Sequence, residues 1–263
     1  MQWTRAPAAD LQRLGRSLAA DYRGADPFPH AVIDDFLEPD RLEAVRREFP
    51  ELAKTRGAKS YDDPDQIKRA SRDEAQFGAQ TRRLMHYLNS APFLEFLSAL
   101  TGIDDLIADP TFEGGGLHEI LPGGFLKVHA DFNKHRQTGL DRRLNLLVYL
   151  NRDWEDAWGG GLELWDREMT RCARTVLPTF NRAVVFTTTD VSYHGHPDPL
   201  RCPRGRSRRS LALYYYTEGR PAEEVGEGHS TLFRDRPGTD DATRPWQPQL
   251  RTRVKRIIRR FTR

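Results

Sequence analysis

His129-Ala130-Asp131 sets an imidazole and a carboxylate two positions apart. In a strand alternate side chains share a face, so His129 and Asp131 point one way and Ala130 the other. One nitrogen donor beside one oxygen donor is half of a metal site. A second imidazole has to come from elsewhere, and Tyr193-His194-Gly195-His196-Pro197 offers two, His194 and His196, on one face of a later strand. Two histidines and a carboxylate on one side of a metal leave three positions open, the arrangement that non-haem Fe(II) centres use to hold a cosubstrate and O₂. A lone His-x-Asp also occurs by chance beside solvent, so its weight comes from what accompanies it.

Two further segments accompany it. RRSLALYYYT (208–217) opens with arginines, and Arg209, fifteen residues after His194, is the one assigned to the site, with Arg208 facing outward. A planar guanidinium grips a carboxylate through two parallel hydrogen bonds, which suits a dicarboxylate anchored at its far end. RLNLLVYLN (143–151) places Asn145, Leu147 and Tyr149 on one face, with the Tyr149 hydroxyl directed at the same carboxylate. Lys127, two residues before His129, falls on the pocket side of a regular strand and is a candidate substrate contact, as are Arg142 and Arg143. His118 is expected to line the barrel.

These residues need a scaffold of short strands. From about residue 110, runs near 111–120, 125–131, 143–151, 162–166, 173–177, 182–188, 191–196 and 208–217 are rich in Val, Leu, Tyr, Phe and Thr. Gly, Pro, Asn and Asp punctuate them, the spacing of an all-β sandwich or barrel. Before it, residues 7–21, 38–49 and 79–100 show helical apolar spacing, with Pro39 and Asp40 at a helix start. A short strand is expected at 28–37, and the polar stretch 54–74 reads as a surface loop over a site. The expected division is a mainly helical region 1–105, a β core 106–220, and a C-terminal loop with a basic amphipathic helix at 221–263.

Composition excludes some classes. The chain has 263 residues, 38% apolar and 30% charged, with net charge +3, and its apolar clusters suffice to close a core. No run approaches the roughly 18–20 apolar residues of a membrane helix. The N-terminus lacks a secretory signal pattern, so a cytoplasmic protein is expected. Cys172 and Cys202 form no CxxC pair and read as reduced thiols. The segment 251–263 carries seven Lys or Arg and no acid. Its apolar residues recur at three- and four-residue steps, a helix docked by one stripe. The competing function is a catalytically silent jelly roll that binds nucleic acid or an anionic surface through this helix. A full His129, Asp131, His194 and arginine set argues against it, since a binding module needs none of them.

Taken in order, H-A-D (129–131), R-L-N-L-L-V-Y-L-N-R-D-W (143–154), G-G-G-L-E-L-W (159–165), Y-H-G (193–195) and R-S-L-A-L-Y-Y-Y (209–216) resemble the catalytic core of the 2-oxoglutarate/Fe(II) oxygenase superfamily. The resemblance is strongest to the prolyl 4-hydroxylase-like enzymes. It implies a double-stranded β-helix, or jelly roll, preceded by N-terminal helices packed on it. It implies iron held by His129, Asp131 and His194, with 2-oxoglutarate bound by Arg209 and assisted by Tyr149. Asn145 joins them as a cosubstrate-binding candidate, and O₂ is the oxidant. His194 is preferred to His196 because an aromatic-His-small triplet is the usual family form. The tyrosine that often precedes the family's Pro-Gly turn is replaced here by Leu121. Asp131 stands where halogenating relatives lack a carboxylate, which favours hydroxylation. The implied reaction hydroxylates an unactivated C–H bond of a small molecule, amino acid or peptidyl proline and yields succinate and CO₂.

Overall fold

The structure is a computed structural model that describes residues 2–221, 224 and 226–243. The basic helix expected within 251–263 lies outside the described residues.

Helices α1 (Ala8–Arg23), α2 (Pro39–Arg47), α3 (Ala79–Leu88) and α4 (Ala91–Thr101) belong to the N-terminal region. The single helix expected over 79–100 is two. Ser90 adopts extended φ/ψ and Pro92 sits in the first turn of α4, so the α3 hydrogen-bond ladder stops there. Strand β1 (His30–Ile33) falls inside the expected 28–37 segment. The stretch read as a loop at 54–74 instead holds a β-hairpin, β2 (Lys59–Asp63) and β3 (Gln66–Ser71). It carries no apolar alternation because its inward face is charged and polar, for reasons given below.

The remaining strands are β4 (Ile107–Ala108), β5 (Gly116–Ile120), β6 (Leu126–Ala130), β7 (Asp141–Tyr149), β8 (Leu162–Trp165), β9 (Cys172–Val176), β10 (Ala183–Thr187), β11 (His194–His196), β12 (Arg208–Thr217) and β13 (Leu232–Phe233). Their order is β1-β10-β7-β12-β5-β3-β6-β11-β8-β9, antiparallel throughout. One half of this path, β1-β10-β7-β12-β5-β3, joins the other, β6-β11-β8-β9, through the single pair Gln66↔Leu126. The sheet folds over there into a nearly closed jelly roll.

Side-chain parity sorts the two faces. Leu144, Leu146 and Val148 of β7, with Leu211, Leu213 and Tyr215 of β12, pack outward on Phe93, Phe96, Leu97 and Leu100 of α4 and Leu42 of α2. The opposite parity points into the roll. There Tyr149 meets Val184, Phe186, Leu162 and Leu164, while Ala212, Tyr214 and Tyr216 form a neighbouring group. Burying each large apolar side chain contributes about 1.5–3 kcal/mol, so the helical layer fixes which residues of β7 and β12 face inward.

Helix α1 crosses α4 at Gly15, where an added Cβ would stand 2.6 Å from the Phe96 carbonyl oxygen and 3.0 Å from Ala99 Cβ. Alanine favours a helix over glycine by roughly 1 kcal/mol, while overpacking costs about 1–3 kcal/mol. Gly15→Ala should therefore lower Tm by thermal unfolding. A raised Tm would mean that the α1–α4 contact is looser than the structure has it.

No helix among the described residues is long and apolar enough to cross a membrane.

Candidate active site

The structure brings His129, Asp131 and His194 together. Adjacent strands β6 and β11 pair His129 directly opposite His194, and Asp131 follows one residue beyond the end of β6. The His129 Nε2 lies 3.6 Å from Asp131 Oδ1, and the His194 Nε2 lies 3.4 Å from Asp131 Oδ2. Each imidazole donates its Nδ1–H to a backbone carbonyl, His129 to Lys127 at 2.8 Å and His194 to Ser192 at 2.9 Å. That fixes both tautomers with the Nε2 lone pair turned to the centre, as a ligating histidine requires. The donor atoms all lie within 4.8 Å of one another. With metal–nitrogen distances of about 2.0–2.1 Å, three cis ligands stand roughly 3 Å apart, so the set fits one ion with small adjustments.

Burial opposes the Asp131 charge, but the Arg142 guanidinium beside it outweighs that and holds the carboxyl well below the usual carboxylate range. Burial pushes His194 down to about 4, so its ring is neutral and able to ligate. Arg142 Nη2 donates to Asp131 Oδ2 at 2.9 Å, and Asn145 Nδ2 donates to the same oxygen at 2.7 Å. Asn145 Oδ1 in turn accepts from Arg142 Nε and Nη2. Asn145, named above as a cosubstrate contact, thus orients the metal-side carboxylate. Arg142 is only 1% exposed and stacks over the Tyr214 ring at 3.4 Å. Its direct hold on Asp131 was not foreseen.

His196 lies outside the three-residue cluster. It pairs with Leu126, is buried, and neither ring nitrogen has a partner. Burial, then Arg208, Lys68 and His129, keep it neutral.

The arginine assignment changes. Arg209 shares the outward parity of Leu211, Leu213 and Tyr215; its guanidinium sits over the Phe49 ring at 4.8 Å and bonds Glu119 at 3.2 Å. Arg208 has the inward parity of Ser210 and Ala212 and is 4% exposed. It donates from Nε to the Gly160 carbonyl at 2.7 Å and from Nη2 to the Tyr149 hydroxyl at 3.1 Å. Gly160 holds φ +75°, and a Cβ there would reach 3.1 Å from Arg208 Cδ, so the glycine turn lets the backbone approach the guanidinium. Among the described residues, no carboxylate lies within ion-pair distance of Arg208. The arginine expected to face outward is thus buried beside Tyr149, with no carboxylate partner among the described residues.

Lys127 also departs from the expected position. On β11 one residue separates His194 from His196, whereas on β6 two separate their partners His129 and Leu126. This bulge reverses the alternation. Lys127 turns away from the cavity and pairs with Asp235 at 2.9 Å and Asp65 at 3.4 Å, while Leu126 takes the inward place. Arg143 pairs with Glu224 and Thr217, away from the triad. His118 lies on β5 with its Nε2 3.0 Å from the Gly114 carbonyl, and burial pushes it down to about 3.

A cavity of about 300 Å³ opens over His129 and Asp131. The hairpin supplies one wall through Lys59, Tyr61, Gln66, Lys68, Ala70 and Arg72, and Phe132, Tyr214 and Phe233 supply aromatic surface. Strand β13 pairs with β6 in the register Phe233↔His129 and lays the Phe233 ring 5.6 Å from the imidazole.

The chain is similar to known proteins. Residues 115–216 match the family model described as the 2OG-Fe(II) oxygenase superfamily. A mouse (Mus musculus) protein, prolyl 3-hydroxylase OGFOD1, is 27% identical over 199 residues, which are 73% of this chain and 33% of that protein. The chain therefore spans about a third of the length of that relative. Among solved structures, a Trichoplax adhaerens prolyl hydroxylase in complex with a hypoxia inducible factor peptide fragment superposes with TM-score 0.57 at 17% identity, covering 80% of this chain and 92% of that one. HygX from Streptomyces hygroscopicus, bound to nickel, 2-oxoglutarate and hygromycin B, gives TM-score 0.52 at 14% identity, covering 82% and 96%. These two establish the likeness of fold.

Proposed function

We propose that the chain is a 2-oxoglutarate-dependent hydroxylase of the prolyl 4-hydroxylase-like kind, a reading supported by the match of residues 115–216 to the 2OG-Fe(II) oxygenase superfamily model and by the likeness to a prolyl hydroxylase. In this reading His129, Asp131 and His194 hold Fe(II), and Arg208 with Tyr149 holds the distal carboxylate of 2-oxoglutarate. Arg208 carries the proposal. A guanidinium removed from water without a counter-ion is costly, and a dicarboxylate reaching it from the metal side removes that cost. When bound, Fe(II), 2-oxoglutarate and O₂ supply the oxidation of an unactivated C–H bond, with succinate and CO₂ as coproducts.

The chain's own residues bind, orient and exclude water. The backbone carbonyls of Lys127 and Ser192 set the two imidazole tautomers. Arg142 and Asn145 keep Asp131 ionised and occupy Oδ2, leaving Oδ1 without a hydrogen bond. Tyr149 offers its hydroxyl beside Arg208, and His196 offers an unpartnered ring N–H nearby. Phe186 and Phe233 pack against the two histidines and limit water there.

One structure named above is in complex with a peptide fragment and another has hygromycin B bound, which supports a peptidyl or small-molecule substrate on this fold. We read 106–220 as the catalytic core, completed by β1, the β2–β3 hairpin and β13, with the helices of 1–105 packed on it. Incubation with Fe(II), 2-oxoglutarate, ascorbate and a panel of peptides, amino acids and metabolites tests the activity. Succinate should form and rise with the true substrate. A protein that binds 2-oxoglutarate yet never forms succinate would favour the silent jelly roll.

A further inference from the structure

The hairpin β2–β3 is charged on the face it turns to the cavity. Lys59 and Tyr61 of β2, then Gln66, Lys68, Ala70 and just beyond it Arg72, line the cavity in strict alternation, while Ile67, Arg69 and Ser71 do not. Five cations line the cavity, namely these three with Arg136 and Arg142, against the acids Glu113 and Asp131. Both acids are already engaged. Asp131 is held by Arg142 at 2.9 Å, and Glu113 pairs with His135 at 3.5 Å and Arg136 at 3.6 Å. Removing those pairs leaves Lys59, Lys68 and Arg72 with no carboxylate in ion-pair distance among the described residues. Lys68 lies over the Tyr61 ring at 5.2 Å, and the Tyr61 hydroxyl feels the charges of Arg72 and Arg136. The buried Arg142 adds a second cue, because its Nη1 has no hydrogen-bond partner.

We propose that the substrate carries an anionic group, a carboxylate or a phosphate, which docks on Lys59, Lys68 and Arg72 at the hairpin wall and presents its C–H bond to the metal side. This deepens the hydroxylase reading and rests on it. The anion is distinct from 2-oxoglutarate, whose distal carboxylate has its own cation in Arg208. Unpaired charges lining a low-dielectric cleft raise the local concentration of oppositely charged ligands. Burial pushes the Lys68 ammonium down to about 8, and an anion seated beside it reverses that direction. The rings of Tyr61, Phe132 and Phe233 suit a flat or apolar body behind the charge.

The test titrates phenyl phosphate, benzoate, benzyl alcohol and benzylamine into the full chain saturated with Mn(II) and 2-oxoglutarate, so that Arg208 is already occupied. At least one anion should bind tenfold or more tighter than benzyl alcohol, with benzylamine weakest. Arg72→Gln combined with Lys59→Gln should weaken that anion at least tenfold and flatten its salt dependence. Arg69→Gln removes the same kind of charge from the opposite face of the hairpin and should change affinity less than twofold. Which anion binds tighter separates phosphate from carboxylate. Equal binding of all four probes, no binding of either anion at millimolar concentration, or equal loss from Arg69→Gln and Arg72→Gln would overturn the proposal. Failure of the unmodified chain to bind 2-oxoglutarate in the first step would instead overturn the hydroxylase reading beneath it.

Discussion

Arg208→Ala is expected to raise the dissociation constant of 2-oxoglutarate by about 10–150-fold, the equivalent of losing a charge-assisted bond of about 1.5–3 kcal/mol. Arg209→Ala should change it less than threefold. The two residues are neighbours with the same side chain, yet β12 sends them to opposite faces. Arg208 is buried against Tyr149 and Gly160, whereas Arg209 lies over Phe49 beside Glu119. Arg208→Lys keeps the charge but loses the planar fork and should fall between the two. Calorimetric titration of 2-oxoglutarate into the Mn(II) form reads all three, and unchanged Tm guards against misfolding. Equal losses at 208 and 209 would mean that the register of β12 against β7, Ser210↔Tyr149, is wrong.

The second large effect concerns the triad. His129→Ala, Asp131→Ala and His194→Ala should each reduce bound iron to a trace and abolish succinate formation, because two protein ligands make a poor site. His196→Ala should retain iron, since its ring nitrogens lie outside the cluster that His129, Asp131 and His194 form. Asn145→Ala should keep the metal but weaken it by about 10–100-fold, the usual cost of losing a group that orients a ligand. Iron content by atomic emission after dialysis, with far-UV circular dichroism as the fold control, decides each case. Retained stoichiometric iron in Asp131→Ala, or its loss in His196→Ala alone, would break the assignment.

Much of this site was legible in the sequence, for identifiable reasons. His129 and Asp131 obey the period of a strand, and Tyr149 and Asn145 share a face that the alternating leucines of β7 define. The same rule governs β12. Leu211, Leu213 and Tyr215 are its most apolar parity and belong against the helices, which sends Arg208 rather than Arg209 inward. Lys127 departs from strand alternation for a different reason. The bulge that reverses β6 exists only in the pairing of two distant segments, and no local residue announces it. The hairpin at 59–71 was hidden because both of its faces are polar, one toward solvent and one toward the basic cavity. The break between α3 and α4 was written in Ser90-Ala91-Pro92, a start signal masked by continuous apolar spacing on either side. Arg142 was legible as a candidate substrate contact but not as the partner of Asp131, since that role depends on stacking with Tyr214 and reaching Asp131 across the roll.

The central claim is that one interior joins a His129-Asp131-His194 metal site to a carboxylate cradle at Arg208. Anaerobic titration of 2-oxoglutarate into the full chain, with and without Fe(II), tests it most directly and needs no knowledge of the substrate. The account predicts saturable one-to-one binding that requires the metal, that Asp131→Ala removes and that Arg208→Ala weakens at least tenfold. Absence of binding, or binding indifferent both to the metal and to Arg208, would contradict it.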